Sequence, residues 1–164
     1  MVIGYFLRRA AAYFFDYIAI FIYAASLAGL VIVSGVEGPS TKLGGYVLGL
    51  LTLTGPVVLV FALAETVWGR SPGKWALRLR VRRAEGQLGF DRALMRNLIK
   101  FLPWEIAHIG IWLTPGQPFV DPPSPTSLTL MVAAMACIVA QACLVLCFRT
   151  GLHDWMSGLR VVRA

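Results

Sequence analysis

Charge is scarce in this chain. Of its 164 residues, 14% are Asp, Glu, Lys or Arg, against about 25% in an ordinary soluble domain. So little charge cannot clothe a core in solvated surface, which excludes a free soluble enzyme. Cysteine is scarce too. Cys137, Cys143 and Cys147 are an odd number crowded into one apolar stretch, which excludes a disulfide scaffold and a thiolate metal set. Packing on a helix face is the role expected of them. A nucleophile motif is missing, because Ser157 lacks a Gly-x-Ser-x-Gly setting beside His153-Asp154. Gly69-Arg70-Ser71-Pro72-Gly73-Lys74 is no phosphate loop, since Trp75 rather than Ser or Thr follows the lysine. What abounds is hydrophobic side chain, at 58%, which excludes disorder. The core of such a chain faces lipid.

A hydrocarbon layer of about 30 Å takes roughly 20 helical residues. Four segments qualify as spans: 10–33, 44–68, 97–114 and 127–148. The first is interrupted by Asp16, the second carries Glu65 near its end, and the last has no charge. The third is short and holds Lys100, Pro103, Glu105 and His108, so it could span, re-enter or lie at the interface. Pro103 should kink it.

Loop charge decides in favour of crossing. The stretch 69–96 holds eight basic residues against Glu85 and Asp91, whereas 34–43 is neutral and 115–126 has only Asp121. Basic loops stay on the cytoplasmic side, so both termini and 69–96 are expected inside. The chain then has to cross between 96 and 115. A cleaved signal peptide is the alternative for the first segment, and Asp16 within an overlong apolar run argues against it.

Within 69–96, Leu77, Leu79 and Val81 alternate with Arg78, Arg80 and Arg82. Period two predicts a strand over 77–82, apolar on one face. The tail 159–163 has the makings of a second strand, and the two could pair as a ribbon. From Asp91 a helix should run into the third span. Arg78, Arg80, Arg82 and Arg83 suit anionic lipid headgroups. Nucleic acid is not expected, because no aromatic platform interleaves them. Trp68, Trp75, Trp104 and Trp155 fall near the expected membrane boundaries, as an aromatic belt would.

Two places could carry chemistry inside the membrane. Asp16 is an isolated carboxylate in an apolar helix, a costly position that is usually functional or paired. Arg9 lies two turns earlier on the same face, about 10 Å along the axis. Glu105 and His108 share a face at i, i+3, a spacing used in helical metal sites. Two ligands are too few for a metal unless a second copy supplies more. A hydrogen bond within the bundle, or a polar cavity lining, serves equally.

At Arg9-Ala10-Ala11-Ala12-Tyr13-Phe14-Phe15-Asp16 the chain resembles the RDD family of small bacterial membrane proteins. The resemblance continues at Gly69–Lys74 with Leu79-Arg80-Val81, at Arg96-Asn97-Leu98, and at Gly151-Leu152-His153-Asp154. It covers nearly the whole chain in the family's order. The family's naming residues correspond to Arg9, Asp16 and Asp154. Leu159 departs from the threonine that many members carry in the tail. The resemblance implies a multi-pass protein of the bacterial inner membrane, and some members are linked to sodium–proton exchange.

The expectation is therefore an all-α bundle of four transmembrane helices with a small cytoplasmic strand and helix element, forming one domain over 1–164. The leading function is transport, with cation–proton exchange as its concrete form. Asp16, Glu105 and His108 would exchange ions, and Arg9 with Asp154 would form an inner gate. Four helices are few for an enclosed pathway, so a homo-oligomer is expected, and no cofactor is implied. The alternatives are a module binding a partner protein or anionic lipid and, last, a metal-dependent enzyme on Glu105 and His108.

Overall fold

The computed structural model describes residues 2–83, 85–116 and 120–164. The chain opens with one long helix, α1 (Val2–Ser34), which at about 1.5 Å per residue is roughly 50 Å long. Its buried residues are Arg9, Ala12, Asp16 and Ile20, at steps of three and four, so they form a single narrow stripe. The rest is a sheath of exposed apolar side chains, Phe14, Phe21, Ile22 and Leu30 among them. A helix wet on that much apolar surface would be insoluble in water. In lipid it is at home.

After a turn come α2 (Lys42–Gly49), a π-helical turn over Leu50–Thr54, and α3 (Gly55–Trp68). The cause of the π turn is Pro56, which has no N–H to give the carbonyl of Thr52. The Tyr23 hydroxyl on α1 takes that carbonyl instead, at 2.6 Å. The short helix α4 (Pro72–Ala76) then folds back on α1, followed by strand β1 (Leu79–Arg83). Next are α5 (Phe90–Trp112), α6 (Pro125–Phe148), the short α7 (Leu152–Ser157) and strand β2 (Leu159–Arg163).

β1 and β2 pair antiparallel, with Val81 opposite Val161 and Arg83 opposite Leu159. Leu79, Val81, Leu159 and Val161 pack together on Ala12 of α1. A two-stranded ribbon is marginal alone, and this one is held by burying one face on α1. The Tyr5 hydroxyl also donates to the Val161 carbonyl at 2.9 Å. The alternation begins two residues later than expected. Arg78 adopts a left-handed backbone (φ 54°), which ends the α4 turn and places Leu77 and Arg78 before the strand.

Among the described residues, three helical stretches are long and apolar enough to cross a membrane: Ile3–Ser34, Lys42–Ala76 and Pro125–Phe148. The expected third span is helical as well, but α5 begins earlier, at Phe90, and its charges leave it outside these three. The helix continues unbroken through Pro103. Two further expectations need correction. Cys137, Cys143 and Cys147 are exposed on α6 rather than packed inside the bundle. Trp68, Trp75 and Trp155 are exposed, whereas Trp104 is drawn into the interior against Tyr17 and His108.

Candidate functional site

Many of the most buried residues of this apolar protein are polar. Glu65, Arg96, Asn97 and Asp154 have no exposed surface, and Arg9, Asp16, Ser71, Lys74 and His153 have almost none. They come from α1, α3, α4, α5 and α7, and they meet in one cluster.

Glu65 is the hub. Its carboxylate receives Arg96 at 2.5 and 2.7 Å, Lys74 at 2.8 Å and the Asn97 amide at 3.0 Å. Arg96 turns its other side to Asp154, with Nε 2.8 Å from Oδ1. Asp154 also takes Arg9 at 2.6 Å and the Gly151 backbone N–H at 3.3 Å. Asp16 accepts the Ser71 hydroxyl and the Gly73 N–H, both at 2.8 Å, and Ser71 in turn accepts from Lys74 at 3.1 Å. The bonds thus form a closed circuit. It leaves α1 at Asp16, passes through Ser71, Lys74, Glu65, Arg96 and Asp154, and returns to α1 at Arg9.

Local sequence explains why the circuit can close. Gly69 ends α3 in the left-handed conformation, and Ser71-Pro72 turns the chain into α4. Gly73 then lies so close to α1 that a Cβ there would run into the Ala12 carbonyl. Only a residue without a side chain lets the Gly73 N–H reach the Asp16 carboxylate. On α5, Arg96 and Lys100 are four residues apart and face the bundle together.

His153 completes the polar end. Gln141 lies 2.7 Å from Nδ1 and the Tyr13 hydroxyl 2.9 Å from Nε2. With the amide oxygen accepting, the ring carries its proton on Nδ1 and receives Tyr13 on Nε2. Burial holds this imidazole well below its ordinary pKa, Asp154 opposes that, and Arg96 and Arg9 reinforce it. Asp154 goes the other way. Burial alone would raise its carboxyl, but Arg96 and Arg9 hold it well below the usual range.

Lys100 stands apart from these hydrogen-bonded side chains. Its ammonium is buried, lies 3.6 Å from Asp16, and makes no hydrogen bond. The rings of Tyr13, Phe61 and Phe101 surround it at 4.7–5.0 Å. Lys100 also lines a cavity of about 400 Å³ between α1, α5 and α6, together with Arg9, Tyr13, Tyr17, Gln141 and His153.

A model of the RDD family matches residues 3–158. The chain belongs to the RDD family. No curated protein and no solved structure matches it.

In this RDD-family protein, the three naming residues Arg9, Asp16 and Asp154 all enter the circuit. Arg9 and Asp154 meet directly, whereas Asp16 joins them only through the intervening side chains. Glu105 and His108 are not part of it. They sit further along α5, 3.4 Å apart, and Glu105 also accepts from the hydroxyls of Tyr46 and Thr54. Among the described residues no group of three or more His, Cys, Asp or Glu is placed to hold a metal. Sequence reasoning missed the hub: Glu65 reads as a carboxylate close enough to the boundary to reach water. Lys74, Arg96 and Lys100 read as ordinary basic residues. The signal available for them was the company they keep in the Gly69–Lys74 and Arg96-Asn97 motifs. Arg82 and Arg83 are exposed and Arg78 likewise, while Arg80 is half-buried beside Gly69.

Proposed function

We propose that the protein is a four-span transporter of the bacterial inner membrane, in which Asp16 and Lys100 share an exchangeable proton. One observation carries this reading: the Lys100 ammonium is buried beside Asp16 without a hydrogen bond. An ammonium in that state breaks no hydrogen bond when it gives up its proton, whereas the other cations of the circuit would forfeit strong charge-assisted bonds. The cavity between α1, α5 and α6 gives the solute a place next to this pair.

The fourth crossing is supported by the two ends of α5. Arg96 near its start bonds Asp154, which Arg9 also bonds, and the Lys42 ammonium at the α1–α2 turn donates to the Thr114 carbonyl just past its end. α5 therefore runs alongside the spans from one polar end to the other. Both termini and the 69–96 segment then lie on the cytoplasmic side, as the basic loops require. Arg78, Arg80, Arg82 and Arg83 face the anionic headgroups there.

Cation–proton exchange is the less favoured form of transport. Arg9 and Lys100 line the cavity, and Asp16 and Glu105 already accept hydrogen bonds from two or more donors. The circuit's saturation favours a second reading, a rigid module that holds a partner. Purified protein in liposomes, loaded with a pH-sensitive dye and challenged with Na⁺, K⁺ and organic-anion gradients, separates the two. Transport requires proton movement that Asp16→Asn and Lys100→Met abolish while leaving a monodisperse protein. Absence of proton movement under every gradient leaves the module.

A further inference from the structure

A second cavity lies against α3 and α4 and shares no lining residue with the one that Lys100 lines. It measures about 390 Å³ and is lined by Val60, Phe61, Ala64, Trp68, Arg70 and Trp75, with Ser71 and Pro72 at one end. Val60, Ala64 and Trp68 follow one another at four-residue steps, so they form one stripe along the helix. The small Ala64 between two large neighbours opens a groove, and buried Phe61 is its floor. The groove is continuous with the lipid-facing side of α3, where Leu59, Leu63 and Val67 are exposed.

At the polar end of this groove stands Arg70. It follows Gly69, where α3 ends, and so sits at the level where a membrane gives way to headgroups. Its neighbours in the motif are fully committed: Ser71 bonds Asp16, and Lys74 bonds Glu65. Arg70 makes no hydrogen bond or ion pair with any described residue, and its Nε is buried without a partner. Arg70 is half-buried, and a bidentate oxyanion is what uses the fork of a guanidinium whose donors the protein leaves free. Trp68 and Trp75 flank it, 64% and 67% exposed, and tryptophan is the side chain that settles at the headgroup level.

We propose that this groove is a binding site for one anionic phospholipid, with the headgroup phosphate on Arg70 between Trp68 and Trp75 and an acyl chain along Val60 and Ala64. The site differs from the exposed arginines of β1. Those attract a negative surface at a distance, and their effect is shared among many lipids. Arg70 is recessed, singly placed and joined to an apolar channel, so it selects a molecule. Ser71 is the adjoining residue and belongs to the ion circuit, which puts the bound headgroup next to it. The proposal does not depend on transport.

Native mass spectrometry of the detergent-purified protein, titrated with dioleoyl phosphatidylglycerol or with dioleoyl phosphatidylcholine, tests it. One phosphatidylglycerol should bind ahead of any others and ahead of phosphatidylcholine. Arg70→Gln should weaken that first event about tenfold, and Arg70→Lys, which keeps the charge without the fork, should recover part of it. Trp68→Leu with Trp75→Leu should weaken both lipids. Arg83→Gln, on the exposed strand, should leave the first event unchanged. Equal losses in Arg83→Gln and Arg70→Gln would mean a diffuse basic surface and overturn the site. So would unchanged binding in Arg70→Gln, or equal affinity for the two lipids. Should Arg70→Gln not purify as a folded protein, the Arg70→Lys and double tryptophan variants decide by the same criteria.

Discussion

The two ends of α5 solve one problem in opposite ways. At its start, Arg96 is wholly enclosed and shared between two carboxylates, each of which has at least one more cation. Toward its far end, Glu105 and His108 form a pair that is 16–19% exposed and is helped by the hydroxyls of Tyr46 and Thr54. The first arrangement is a chain of ion pairs in which Glu65, Arg96 and Asp154 each hold two opposite charges. The second is a local contact that water can replace. Burial is only part of the difference. Connectivity is the rest, because removing one partner from a closed circuit strands charges that have nowhere else to turn.

The largest expected effect comes from the hub. Glu65→Gln leaves Lys74 without a carboxylate and Arg96 with Asp154 alone, and should cost about 3–5 kcal/mol, enough to lose most folded protein. Thermal unfolding in detergent, or yield of monodisperse protein, measures it. Glu105→Gln should cost less than about 1 kcal/mol in the same assay. Similar losses in the two variants would erase the contrast between the ends.

Charge exchange between Arg9 and Asp154 sharpens the contrast. An isolated pair tolerates reversal. Here an arginine at 154 would face Arg96, so the double reversal should fail as badly as either single one. Rescue by the double reversal would mean that Arg9 and Asp154 are a private pair and that the circuit is not coupled.

Gly73→Ala is expected next in size, at about 1–3 kcal/mol, because the added methyl forces α4 away from the Ala12 carbonyl. Loss of the Asp16 contact should follow. An unchanged melting temperature would show that α4 can shift without breaking the circuit.

Acidification should give the smallest effect, and from pH 7.5 to 5.5 it should act through His153 at the enclosed end. His153 has a lowered folded pKa, so the unfolded chain binds the extra proton once pH drops below its ordinary value of 6.5. Stability is therefore full above that pH and falls below it. Asp154, also lowered, adds a second loss as pH falls below its ordinary 3.8. Melting temperature should decline from pH 7.5 to 5.5 in the wild type and more weakly in His153→Gln. A decline of the same size in both would assign the effect to other groups.

Much of the membrane architecture is legible in the chain because apolar runs and isolated charges are local signals. Asp16 stands out within its own helix, and the alternation of Leu79 and Val81 marks a strand without help from elsewhere. Pairings are not local. Glu65 and Arg96 are separated by α4 and β1, and the sequence gives no sign that the fold brings them together. The same separation disguises Arg96 and Lys74, which inflate the apparent basic charge of 69–96 although both are buried and neutralised. Trp104 looked like a boundary residue because it adjoins charged positions, but its ring faces inward with that side of α5. The cysteines of α6 were expected to pack, and the neighbours that would have covered them lie on its other face.

The order in which the circuit is written along the chain has a consequence for biosynthesis. Arg9 and Asp16 leave the ribosome first, and Glu65, Lys74 and Arg96 follow. Asp154 comes after α6. Until then Arg9 has no carboxylate, and Arg96 has only one of its two. The early helices must wait in the translocation machinery or the bilayer with charge unpaid. Closing the circuit thus waits for Asp154 and reports in one step that α1, α3, α5 and α7 have found one another. A chain stalled before 154 would present an open guanidinium to the membrane, a mark by which proteolytic quality control could tell an unfinished molecule from a finished one.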